Sequence, residues 1–112
     1  MTYAAKRFTL TFIKKEKVIK NVISFYFIKP KAFTYIAGQY LQLNLPHSDP
    51  DEHGTSRFFT IASAPEEPFI MITTRLIVGK HHETTFKKAL ESLQKGDTVQ
   101  GFGPLGKFYL ED

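Results

Sequence analysis

Short apolar runs with a period of two, cut at close intervals by glycine and proline, constrain this chain most. Phe8, Leu10 and Phe12 alternate with Thr9 and Thr11, the pattern of a strand buried on one face. We read a first strand over residues 7–18 and, past a lysine-rich turn at Asn21, a second from Val22 to Ile28. Pro30 stops it, because proline cannot extend the ladder. Ala37-Gly38-Gln39 turns the chain into a third strand, where Leu41, Leu43 and Leu45 alternate with Gln42 and Asn44 until Pro46. A polar loop spans His47 to Ser56, a fourth strand Arg57 to Ala62, and a fifth Phe69 to Ile77. Val99 to Phe102 and Phe108 to Leu110 supply two short strands at the end. Closely spaced strands joined by turns predict an antiparallel barrel or sandwich rather than a parallel sheet.

One segment breaks the period. Between Thr84 and Lys95, Phe86, Ala89, Leu90 and Leu93 stand at i, i+3, i+4 and i+7, which predicts an amphipathic helix of about three turns. Thr84 or Thr85 is placed to cap its start, and Gly96 to end it in a left-handed conformation.

A length of 112 residues fits one domain, 1–112, with enough apolar and aromatic side chains for a core. Cysteine is absent, which excludes disulfides, thiolate metal sites and cysteine-ligated clusters within this chain. No run approaches the roughly 20 apolar residues of a spanning helix, and the first twenty residues lack a signal peptide's apolar block. The expected address is the cytoplasm. The net charge of +4 is uneven, with Lys6, Arg7, Lys14, Lys15, Lys17, Lys20, Lys29 and Lys31 crowding the first third against Glu16. Such a stripe keeps a protein soluble, and it could also dock an acidic protein partner.

Two places could carry chemistry. Alternation puts Phe59 on the face of Arg57, so a guanidinium fork for phosphate oxygens stands beside a flat apolar plate. At the helix start, Lys87 and Lys88 read as first-turn residues of the wrong sign for the dipole, a placement that a bound anion such as a pyrophosphate would relieve.

Arg57-Phe58-Phe59-Thr60, extended through Ile61-Ala62-Ser63, resembles the Arg-x-Tyr/Phe-Ser/Thr signature of the ferredoxin–NADP⁺ reductase superfamily. Gly38-Gln39-Tyr40 is similar to the family's Gly-Gln-aromatic segment before the signature, and Ile72-Thr73-Thr74-Arg75 to its flavin-edge strand. Thr84-Thr85-Phe86-Lys87 through Leu90 resembles its hydroxyl-capped phosphate helix. Lys95-Gly96-Asp97 and Gly103-Pro104-Leu105-Gly106-Lys107-Phe108 resemble the closing turn and the Gly-Pro-x-Gly-x-Phe segment. These segments follow in order over nearly the whole chain.

The resemblance implies an all-β fold, a six-stranded antiparallel Greek-key barrel with one capping α-helix. It implies FAD as cofactor, FMN less so. Arg57 would bind the pyrophosphate, Phe59 would stack on the isoalloxazine, and Thr60, the catalytic position, would set its hydroxyl near flavin N5. Ile72, Thr73 and Thr74 would contact the ring or ribityl chain, largely through backbone. Thr84 and Thr85 would hold phosphate. Phe59 lacks the family tyrosine's hydroxyl, and Thr60 replaces the commoner serine.

The implied activity is that of an NAD(P)H-dependent oxidoreductase, which passes electrons through flavin to an acceptor such as ferredoxin. The nicotinamide-binding domain of that family is a separate α/β unit after the barrel, so this chain is expected to bind flavin without an NAD(P)H site of its own. A siderophore-iron or flavin reductase is the close alternative, and a nucleic-acid-binding barrel the alternative of another class.

Two motifs are set aside. Gly101 to Gly106 satisfies Gly-x-Gly-x-x-Gly, and Gly101 to Lys107 satisfies Gly-x4-Gly-Lys, but neither is followed by the helix and acid, or by the Ser/Thr, that such loops require. His47, Asp49, Asp51, Glu52 and His53 are read as a solvated loop, His81-His82-Glu83 lacks matching ligands, and no metal is expected.

Overall fold

A computed structural model describes residues 5–47, 54–75 and 83–106, with the backbone alone for Glu83 and Thr84. The described strands are β1 (Lys6–Ile19), β2 (Val22–Ile28), β3 (Tyr40–Asn44), β4 (Ser56–Thr60), β5 (Phe69–Arg75) and β6 (Thr98–Leu105), and the helix α1 (Glu83–Glu91) lies between the last two strands. All strand pairs are antiparallel, in the order β4-β3-β6-β1-β2-β5.

The first and last strands of that order nearly meet. Ala62 N–H donates to the Met71 carbonyl at 2.7 Å, and Met71 N–H donates to Ser63 Oγ at 3.0 Å. Beyond these bonds β4 and β5 diverge, so the Greek-key barrel is open along one seam. Inside it, period-two alternation buries Leu10, Phe25, Phe27, Leu41, Ile70 and Ile72 completely. Tyr35 braces the closed end of the seam, its hydroxyl lying 3.0 Å from the Ser63 carbonyl and 2.9 Å from that of Ala64.

A β-bulge between Phe12 and Lys14 switches the faces of β1. Before it Leu10 and Phe12 point into the core; after it Lys15 and Lys17 stand opposite Phe25 and Ile23. The consequence is a helix contact: Lys15 Nζ donates to the Glu91 carbonyl at 2.8 Å, at the negative end of α1. On the other face Glu16 accepts from Tyr26 at 2.8 Å and from Lys14 at 3.3 Å, and these bonds hold its carboxyl below its ordinary value.

The helix differs from the expected span of 84–95. It starts at Glu83 and ends at Glu91, because Ser92 N–H is shared between the carbonyls of Lys88 and Ala89 while its hydroxyl also bonds Ala89. Gly96 (φ 94°) is not the helix cap; it closes a later turn in which Asp97 Oδ2 accepts from Gln94 N–H. The two final short strands also resolve differently: β6 runs continuously to Leu105, while residues 108–110 lie outside the described residues. Gly101 and Gly103 are buried strand residues here, pressed against Phe8 and Leu41. No helix among the described residues is long and apolar enough to cross a membrane.

Candidate functional site

The open seam is a fork whose arms are β4 and β5 and whose crossbar is α1. Phe86, 1 % exposed, is the hub. The Phe59 ring lies 5.9 Å from it at 30°, the Arg57 guanidinium carbon 5.2 Å above it, and the His47 ring 5.8 Å away at 82°. Strand alternation explains the first two: Arg57 and Phe59 pair with Leu43 and Leu41 and so share their face of the sheet. At the open seam that face meets the helix. The guanidinium also donates to the carbonyls of Gly54 at 3.1 Å and Ser56 at 2.9 Å, which fold it back toward its own loop.

The arms present backbone. Ile61 N–H donates to Gln39 on the β3 side and Ala62 N–H to Met71 on the β5 side. By the alternation of an antiparallel ladder, the N–H and C=O of Thr60 point into the fork, as do those of Thr73 and Arg75. The Arg75 carbonyl accepts from Lys87 Nζ, tying helix to arm.

Among the expected site residues, Arg57 and Phe59 come together, and Thr60 and Thr73 face each other across the opening. The Thr60 side chain does not join them; it lies exposed on the outer face, in the row of Tyr40. The Thr73 hydroxyl is on that outer side too, 2.7 Å from Ser24 Oγ. Ile72 is fully buried in the core, and Thr74 pairs with Ile23, so both have their backbones turned toward β2. Thr85 falls within the first turn of α1 rather than at a cap, and the Thr84 side chain lies outside what is described.

The lysine argument for an anion is corrected. Lys88 belongs to the last turn, where its sign suits the dipole, and Lys87 serves the Arg75 carbonyl. His47 is a correction as well. It was expected to be solvated, yet Nε2 is buried without a hydrogen-bond partner. The chain beyond β3 brings it there: Leu45 N–H bonds the Thr55 carbonyl at 2.8 Å, and Asn44 Oδ1 accepts from Thr55 and Ser56, closing the loop at its base. Only its position beside Pro46 could have hinted at this. The rest of its cluster, residues 48–53, lies outside the described residues, which hold no group of three or more potential metal-binding side chains.

A concavity of about 360 Å³ opens elsewhere, on the outer face of β3, β6 and β1, lined by Arg7, Gln42, Asn44, Ser56, Gln100, Gly101 and Phe102. It contains none of the expected site residues.

Residues 9–109 match the model of the oxidoreductase FAD-binding domain family. The chain belongs to that family. The fold of this FAD-binding domain is shared by the cytochrome P450 reductase GcoB of Amycolatopsis, with a TM-score of 0.77 and 23% identity, over 98% of this chain and 31% of that one. A ferredoxin NADP+ reductase from Neisseria gonorrhoeae, solved with bound FAD and NADP, aligns with a TM-score of 0.70 and 18% identity over 95% of this chain and 40% of its own. The siderophore-interacting protein of Acinetobacter baumannii gives 0.71 and 17%, over 95% and 42%. The FAD-binding domain thus spans less than half of each of these chains. No curated protein matches it by sequence.

The residues fit the cofactor. The fork is open, its arms turn backbone edges toward each other, and the Phe59 ring, the Arg57 guanidinium and the His47 imidazole converge on Phe86 at one side.

Proposed function

We propose that this domain holds FAD in the fork and works with a nicotinamide-binding domain or subunit, as a cytoplasmic reductase that passes electrons from NAD(P)H to an acceptor. The observation that carries the reading is the convergence of Arg57 and Phe59 on Phe86 at the mouth of the open seam. When bound, the flavin supplies the conversion between hydride and single-electron transfer.

The chain's own residues bind and orient. Arg57 exchanges its bonds to the Gly54 and Ser56 carbonyls for stronger, charge-assisted bonds to the pyrophosphate. Phe59 offers the face turned away from Phe86 as a plate for the ring. Thr60 acts through backbone N–H toward N5, since its hydroxyl points outward, and Thr73 offers N–H and C=O from the other arm. Ile72 and Thr74 contribute by fixing the register of β5 on β2. Thr84 and Thr85, in the first turn of α1, would hold a phosphate of the cofactor.

Solved structures of the same fold include both reductases and siderophore-interacting proteins, so the acceptor class is the finer part of the proposal. An acidic electron-transfer partner would meet the β1–β2 hairpin, where Lys14, Lys15 and Lys17 stay at the surface even though the first two also serve Glu16 and Glu91. Apo-protein mixed with FAD or FMN tests the reading. Saturable binding with changed flavin fluorescence, tighter for FAD, is expected; indifference to both flavins would overturn it.

A further inference from the structure

Nε2 of His47 is the one buried side-chain nitrogen or oxygen among the described residues left without a hydrogen-bond partner, and its ring packs on Phe86, the same ring that carries the Arg57 guanidinium. Its Nδ1 lies 2.8 Å from the Leu45 carbonyl oxygen. A carbonyl only accepts, so Nδ1 carries a hydrogen. Neutral, the ring therefore presents a bare acceptor at Nε2; protonated, it presents a donor there. A buried polar atom without a protein partner costs stability and calls for one.

We propose that His47 is a second anion contact for the dinucleotide, its Nε2 donating as an imidazolium to a pyrophosphate oxygen beside Arg57. This rests on the reading that Arg57 takes the pyrophosphate. The shared ring suggests the partner: His47 and Arg57 both pack on Phe86, at 5.8 and 5.2 Å from its centroid, and a pyrophosphate, with oxygens on two phosphorus atoms, is the part of the dinucleotide suited to bridge two groups on one ring. A ligand hydroxyl could also satisfy Nε2, but the neighbouring charge selects a phosphate.

The groups around the imidazole come from three elements. From β4 comes the Arg57 cation on the shared Phe86 ring, and from the end of β3 the Leu45 carbonyl; Lys87, next to Phe86 on α1, is engaged by the Arg75 carbonyl. A pyrophosphate oxygen at Nε2 favours a proton there. Turning Arg57 off the Phe86 ring toward the phosphate opens the way, and the proton is taken from solvent as the dinucleotide binds.

FAD titration by calorimetry between about pH 5.5 and about 8.5 reads this directly. Wild type is expected to lose affinity as pH rises, by roughly tenfold across the range, and to take up protons on binding near neutrality, seen as heats that vary with buffer ionisation enthalpy. His47→Gln, whose amide donates without titrating, keeps binding but loses the slope and the proton uptake. His47→Phe preserves the ring against Phe86 and binds weakly at every pH. A flat wild-type profile, or a slope that survives in His47→Gln, overturns the proposal while leaving flavin binding intact. Arg57→Ala separates the two levels: it weakens binding at all pH values, and if it does not, the underlying reading fails first.

Discussion

The Phe59 ring lies 5.9 Å from the Phe86 ring, inclined by 30°, and this pair closes the inner side of the fork between β4 and β5. One partner comes from the signature strand and the other from the helix, so the site wall is also a tertiary contact.

Phe86→Ala should therefore cost stability and binding together. Removing a ring only 1 % exposed is expected to lower the unfolding free energy by roughly 3–5 kcal/mol in urea titrations of apo-protein. FAD affinity should fall as well, since Arg57, Phe59 and His47 lose their common support. Phe86→Leu should recover most of the stability and less of the affinity.

Tyr35 predicts an alkaline limit. Burial, first of all, holds its phenol above the ordinary tyrosine value. A raised phenol means that the folded state keeps its proton longer than the unfolded chain, so the contribution is complete below about pH 10 and is lost as pH rises through the folded value. Tyr26, raised by its bond to Glu16, acts with the same sign from the surface. Tyr35→Phe should lower stability by roughly 1–3 kcal/mol near neutrality by removing the hydroxyl's bonds to Ser63 and to the Ala64 carbonyl, and should shrink the drop in urea midpoint between about pH 9 and about 11.

Gly101→Ala should destabilise without touching the fork. An added Cβ would stand 2.8 Å from the Phe8 ring, which itself packs 4.4 Å from Phe33. Overpacking of this kind costs roughly 1–3 kcal/mol. Melting temperature should fall while FAD affinity, measured well below the transition, stays unchanged.

Thr60 separates side chain from backbone. Because its hydroxyl faces outward, Thr60→Val is expected to change FAD affinity by less than about threefold, a difference near 0.6 kcal/mol. A loss comparable to that of Arg57→Ala would show that the hydroxyl itself reaches the flavin.

What could be read from the sequence follows from what alternation encodes. The strands carrying Leu10, Phe25, Leu41 and Ile72, and the shared face of Arg57 and Phe59, are consequences of a period of two. The resemblance around Arg57 to Ser63 located the site. Alternation also placed the Thr60 hydroxyl opposite Phe59, a consequence the family role had obscured. Other features depend on interruptions that no period announces. The bulge before Lys14 turned Lys15 toward the helix end, and Ser92 ended α1 short of the run of apolar spacing that continues to Leu93. That early end reassigned Lys88 from the first turn to the last. His47 needed the three-dimensional closure of the β3–β4 loop to be seen at all.

The most direct measurement is calorimetric titration of FAD into apo-protein, wild type beside Arg57→Ala. If the guanidinium on the Phe86 ring is the pyrophosphate clamp, the variant loses roughly 1.5–3 kcal/mol of binding, about 10- to 150-fold, with its urea midpoint nearly unchanged. Equal affinities for the two proteins would contradict it.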